Sequence, residues 1–128
     1  MRRGGILHPD LGYLLSSLGH TDYFTICDQG FPVPVGPPRI DLALVDNIPT
    51  VLDVVRAVDR EWLIDRLIVA SEMIEFSPDF FQQLRALLPD TPYEAVSHLE
   101  LKRLARESRG TVRTGDTVPY SNLILVSG

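Results

Sequence analysis

The sequence predicts a three-layer α/β/α single domain with a largely parallel central sheet, and three observations carry that expectation. Short runs such as Tyr23–Cys27 are apolar or β-branched on both parities, the pattern of a strand buried on both faces. Stretches with apolar residues at helical spacing alternate with these runs. Glycine and proline gather at the junctions between them and form no low-complexity tract.

Taken in order, Asp10 is the expected cap of a first helix in which Leu11, Leu14, Leu15 and Leu18 recur at helical spacing and Gly19 supplies the stop. The Tyr23–Cys27 strand follows, then a stiff non-regular loop over 28–38 that holds Gly30, Pro32, Pro34, Gly36, Pro37 and Pro38. A second strand is expected over 40–45. Residues 50–60 are rich in valine, which suits a strand. However, Val51, Val54, Val55 and Val58 fall at i, i+3, i+4 and i+7 and Pro49 suits a first turn, so the expectation is helix. Residues 63–74 read as one long strand centred on Leu67, Ile68, Val69 and Ala70. Ser77 and Pro78 read as cap and first position of a helix to Leu88, with Phe80, Phe81, Leu84, Leu87 and Leu88 as its apolar stripe. A short strand at 93–96 leads to Ser97, expected to cap a helix reaching about Ser108, with Glu100 in capping-box position. Residues 110–114 and 122–126 are two further strands.

With 128 residues the chain has the usual size of one domain, so 1–128 is taken as a single unit with no linker or internal repeat. A hydrophobic share of 45% and a charged share of 23% argue against disorder. A net charge of −5 and scattered basic residues give no footprint for a nucleic-acid backbone, so no nucleic-acid partner is expected. No run of eighteen apolar residues predicts a membrane span. The N-terminus starts positively, as a signal peptide does, but lacks the apolar core that should follow. One cysteine cannot form an intrachain disulfide, and the expected location is cytoplasmic.

The candidate reactive groups are His8, His20, His98, Asp22, Asp28, Lys102, Tyr120 and Asn122. Most have a plain alternative. His20 after Gly19 suits a helix C-terminus, where a histidine favours the dipole, and Asp28 before Gln29-Gly30 suits an Asx-type turn. His98 reads equally as an ordinary first-turn residue, Lys102 as a solvated lysine four positions on, and Asn122 as turn chemistry. His8, before Pro9, is assigned to an exposed leading segment and set aside. Cys27 reads as a small core residue, and the three histidines lack the spacing of a metal site, so no metal is expected. Phosphate-loop, dinucleotide and nucleophile-elbow motifs are missing. Histidine, carboxylate, amine, phenol and amide together suit proton movement among hydroxyls, and a sugar fits such a set.

Several strings then carry a family resemblance: Gly19-His20-Thr21-Asp22, the run from Cys27-Asp28-Gln29-Gly30 to Pro34, Arg39-Ile40-Asp41-Leu42, Ser97-His98-Leu99-Glu100-Leu101-Lys102, and Arg113-Thr114-Gly115-Asp116 with Pro119-Tyr120-Ser121-Asn122. In order and nearly throughout the chain, they resemble the D-ribose pyranase and fucose mutarotase family, with the Cys-Asp-x-Gly-x-Pro-x-Pro loop closer to the pyranase branch. The resemblance implies an isomerase that interconverts cyclic forms of a monosaccharide without a cofactor. It implies His20 as the catalytic proton donor, and Asp28, His98, Tyr120, Ser121 and Asn122 as sugar-binding residues, with Lys102 a further carry-over. Phe31, Leu99 and Thr117 depart from the family's usual residues.

The expected reaction is the opening and reclosure of D-ribose between pyranose, furanose and anomeric forms. The alternatives are a mutarotase acting on fucose or a related sugar, and a sugar-binding accessory module without turnover. Geometry adds one expectation. His20 enters the first strand and Asp28 leaves it, so five or six extended residues at about 3.3 Å each hold them apart. Tyr120 and Asn122 enter a strand whereas His98 leaves one, which in a parallel sheet places two half-sites at opposite ends. The expected assembly is a homo-oligomer with active sites shared between subunits.

Overall fold

The computed structural model describes residues 1–128. Six strands form one sheet: β1 (Tyr23–Cys27), β2 (Arg39–Asp41), β3 (Ile64–Ala70), β4 (Tyr93–Val96), β5 (Thr111–Arg113) and β6 (Leu123–Ser127), in the order β2-β5-β1-β6-β3-β4. The β2/β5, β5/β1 and β3/β4 pairs are parallel, and β6 runs antiparallel to both of its neighbours, β1 and β3. Five strands therefore point one way and β6 the other. Five helices complete the fold: α1 (Pro9–Ser17), α2 (Val51–Asp59), α3 (Ser71–Phe76), α4 (Pro78–Leu87) and α5 (His98–Arg106). None is long and apolar enough to cross a membrane.

The layers are unequal. Leu11, Leu14 and Leu15 of α1, the four valines of α2, Met73 of α3, and Phe80 and Leu84 of α4 bury one face of the sheet together with Phe24, Ile26, Leu67, Val69 and Leu125. The other face is covered by α5, whose Leu101 meets Ile68, Ala70, Ile124 and Val126, while Ala105 meets Cys27 and Phe31. Strand β1 is buried on both sides because it lies between these layers, as its unbroken apolar pattern requires. In α2, β-branched residues cost at most about 0.7 kcal/mol each in helix propensity. Burial of each valine is worth about 1.5 kcal/mol or more, so the helix prevails. Thr50 and Asp53 close a reciprocal capping box at its start.

The structure corrects four local expectations. The cap of α1 is His8, whose Nδ1 accepts from the Leu11 N–H, and Asp10 lies inside the first turn. The second strand is Arg39–Asp41, because beyond Leu42, whose N–H still donates to the Arg113 carbonyl of β5 at 2.9 Å, the chain turns into a loop closed by a Val45/Ile48 bridge. The long strand over 63–74 ends at Ala70, beyond which the backbone coils so that Met73 is buried against the core as helix α3. Ser97 caps α5 through its hydroxyl, but the Glu100 carboxylate pairs with Arg103 and does not return to the cap. The expected largely parallel sheet is borne out, with β6 its one reversed member.

Candidate active site

The reversal of β6 gathers the polar groups. The C-terminal ends of β1, β3 and β4 lie at one end of the sheet, and the start of β6 lies there with them. Asp28 follows β1, Glu72 follows β3, His98 follows β4, and Tyr120, Ser121 and Asn122 precede β6. The connection from β5 to β6 crosses the end of β1, and hydrogen bonds stitch it down. Thr114 Oγ1 donates to the Cys27 carbonyl at 2.8 Å, the Gln29 N–H to the Asp116 carbonyl at 3.1 Å, and the Asp28 N–H to Asn122 Oδ1 at 2.8 Å. Asp116 is buried, and its carboxylate accepts from the Val51 and Val118 N–H groups, both at 2.9 Å. It thus ties the segment before Tyr120 to the start of α2. Tyr120 itself has a positive φ of 58°, a left-handed turn that a bulky side chain adopts only where its surroundings hold it.

An aromatic row crosses the cluster. The His98 ring meets Tyr120 edge-on at 5.1 Å between centroids and Phe31 at 6.1 Å, and Phe76 lies 5.7 Å from Tyr120. Two buried polar atoms here, His98 Nδ1 and Ser121 Oγ, have no hydrogen-bond partner in the protein. Buried polar groups without a partner are costly to fold, so these two atoms mark the cluster as more than packing. Burial pushes the His98 pKa down, Lys102 adds to the effect, and Glu72 and Asp28 oppose it, so the ring is neutral near pH 7. Burial pushes the Asp28 carboxyl up, against backbone N–H groups of Gly30 and Phe31 that stabilise its anion. Cys27, fully buried behind Asp28, has its thiol pushed up to about 12 by burial, which leaves it inert as a nucleophile.

The structure therefore brings together Asp28, His98, Tyr120, Ser121 and Asn122, with half-buried Lys102 one helical turn beyond His98 and close enough to act on its charge. His20 is elsewhere. It lies exposed in the turn before β1, where the Thr21 N–H donates to the Ser127 carbonyl at 3.0 Å, at the opposite end of β6 from Asn122. This corrects the expected division of the site: Tyr120 and Asn122 belong with Asp28 and His98, and His20 alone occupies the far end. The signal that places them is the length of the connection between Arg113 and Leu123, which is shorter than the dozen residues a return crossover to a parallel strand requires. Glu72 and Asp116 escaped attention as site residues, because a lone carboxylate in an apolar stretch or a turn carries no local pattern.

A mixed α/β sheet with a histidine, a carboxylate, a phenol and an amide converging at one end defines a class, that of small α/β proteins with a polar cluster at the strand ends. The chain belongs to the RbsD/FucU transport protein family, whose model matches residues 1–128. It is 44% identical over 128 residues to the D-ribose pyranase of Chloroflexus aggregans, covering 100% of this chain and 98% of the relative. The structure of Bacillus subtilis RbsD complexed with D-ribose matches it with a TM-score of 0.95 and 35% identity, over 100% of this chain and 98% of that one. The fucose mutarotase of Streptococcus pneumoniae, in complex with L-fucose, shares the fold, with a TM-score of 0.76 and 17% identity over 95% of this chain and 93% of that one.

Proposed function

We propose that this protein is an isomerase that interconverts the pyranose, furanose and anomeric forms of D-ribose by acid/base-assisted ring opening and reclosure. The observation that carries this reading is the similarity to D-ribose pyranases along the whole chain. Residues 1–128 work as one sugar-isomerase domain. With a single, buried cysteine nothing in it calls for an oxidising compartment, and the cytoplasm is its proposed location.

Ring opening removes a proton from the anomeric hydroxyl and delivers one to the ring oxygen as the bond between that oxygen and the anomeric carbon breaks. Reclosure reverses the transfers, through another hydroxyl to give the furanose or on the other carbonyl face to give the other anomer. Every step moves protons, and an imidazole can give or take one near neutrality. His20 is assigned the acid/base role. Asp28 and Asn122 grip sugar hydroxyls, and Tyr120, His98 and Ser121 bind the sugar beside them. Lys102 lies at the rim.

The protein acts as a homo-oligomer in which His20 of one subunit completes the cluster of another. Two observations support this assembly. His20 lies at the opposite end of the sheet from the residues it must serve. Beside those residues one chain exposes Phe76, next to Tyr120, and Leu99, next to His98, at 60% and 77% accessible, which suits a covered surface.

Saturation-transfer NMR on ribose with catalytic amounts of protein tests the function. Accelerated pyranose–furanose exchange is expected; acceleration on fucose alone moves the assignment to a mutarotase, and ribose binding without acceleration moves it to an accessory module. Co-assembling inactive His20→Ala and Asn122→Ala chains tests the shared site. Recovered activity is expected, because some sites then combine two intact halves, and no recovery in mixed assemblies contradicts it.

A further inference from the structure

Glu72 stands at the start of α3, where β3 ends. Its two carboxylate oxygens accept from the backbone N–H of His98 at 3.1 and 3.0 Å, and the Ser71 hydroxyl donates to Oε1 at 2.8 Å. His98 is the first residue of α5, so its N–H is one of those a helix start leaves without an internal partner. The Ser97 hydroxyl serves Glu100 instead. The acceptor for His98 comes from 26 residues away, on a different strand end, and the bond ties the ends of β3 and β4 together at the residue whose ring enters the cluster. That ring is clamped edge-on between Phe31 and Tyr120, and its Nδ1 is buried without a protein partner.

We propose that Glu72 is a positioning residue of the sugar site, its carboxylate anchoring the backbone of His98 so that the imidazole stays between Phe31 and Tyr120. The inference rests on the sugar site proposed above and adds a residue to it. The same carboxylate also acts on the ring's charge. The groups that face His98 are Glu72 from α3, Lys102 from α5, Asp28 from the loop after β1 and Tyr120 from the turn before β6. Burial and Lys102 lower its proton affinity, whereas Glu72 and Asp28 raise it. Removing the negative charge of Glu72 therefore lowers the His98 pKa further. Glutamine keeps an acceptor oxygen for the His98 N–H and loses the charge; alanine loses both.

Two measurements on the full chain test this. NMR titration of the His98 ring in sugar-free protein is expected to give a lower midpoint in Glu72→Gln than in the parent. Ribose exchange kinetics are expected to show a KM raised about tenfold in Glu72→Ala, with a smaller change in kcat, since displacing a positioned group costs up to about 10²-fold. Glu72→Gln is expected to restore KM to near the parent value. A parental His98 midpoint in Glu72→Gln, or a parental KM in a folded Glu72→Ala, overturns the proposal; if the alanine variant does not fold, the Gln titration decides alone. A parent that never accelerates ribose exchange sinks the ribose assignment and leaves the titration readable.

Discussion

The two ends of the sheet are built on different principles. At the Asp28 end, five strands contribute, Asp116 and Asn122 are buried to within 2% of full exclusion, and Tyr120 is held in a left-handed turn. At the His20 end, a turn of exposed residues is held by a hydrogen bond from the Gly19 N–H to Asp22 Oδ2 at 2.9 Å and an open Asp22–Arg109 pair at 3.4 Å. The first end costs stability to organise and offers polar groups in fixed positions. The second offers one imidazole with little around it. A binding surface needs several groups in register, whereas a proton carrier needs reach, and the contrast fits the division of labour proposed for the site.

Four substitutions break or sharpen that contrast. His20→Ala is expected to slow ribose ring exchange by 10²- to 10⁴-fold, the usual contribution of a positioned acid/base, as read by saturation transfer. Its unfolding free energy should stay within about 0.5 kcal/mol of the parent, as for other exposed side chains. Asp116→Ala should do the reverse, costing about 3 kcal/mol in urea unfolding because the buried Val51 N–H and the half-buried Val118 N–H lose a charged acceptor. An unchanged urea midpoint would show that water replaces the carboxylate. Asn122→Ala removes the acceptor of the Asp28 N–H and should cost about 1 to 2 kcal/mol along with ribose binding. Ribose affinity equal to the parent's contradicts the role given to Asn122.

Asp22→Ala is expected to have the smallest effect and to depend on pH. The Gly19 N–H, ahead of Arg109, holds the Asp22 carboxyl below its usual value. Its contribution is therefore present above the unfolded carboxylate pKa and fades as pH falls through the lower folded value. Parent and variant should differ slightly at pH 7 and converge below about pH 3.9, the reference for an unfolded aspartate. A gap that widens in acid reverses the assignment.

Much of the fold was legible because it follows from local pattern. The both-sided apolar run of β1 and the i, i+3, i+4, i+7 valines of α2 each state their burial directly. What escaped depends on partners distant in sequence. His8 caps α1 with a side-chain nitrogen, a role that residue type alone does not advertise. Apolar residues run on from Leu67–Ala70 to Met73, Ile74 and Phe76, so only the packing of Met73 divides strand from helix. The site residues other than Glu72 and Asp116 were recognisable as residue types in a family pattern. Their grouping was not, because the direction of β6 is set by pairing with β1 and β3 and leaves no trace in Leu123–Ser127 itself.

The short connection across the end of β1 has a consequence for how the ligand is met. The segment that carries Tyr120, Ser121 and Asn122 is sewn to Cys27, Gln29 and Val51, and Ser77 Oγ donates to the Pro119 carbonyl, so its shape is settled when the chain folds. The entropy of ordering it is spent before any sugar arrives, and binding a small, polar, weakly apolar molecule needs that advance. Sugar association should then resemble filling a mould more than closing a hand, with amide exchange across 114–122 already slow in the free protein.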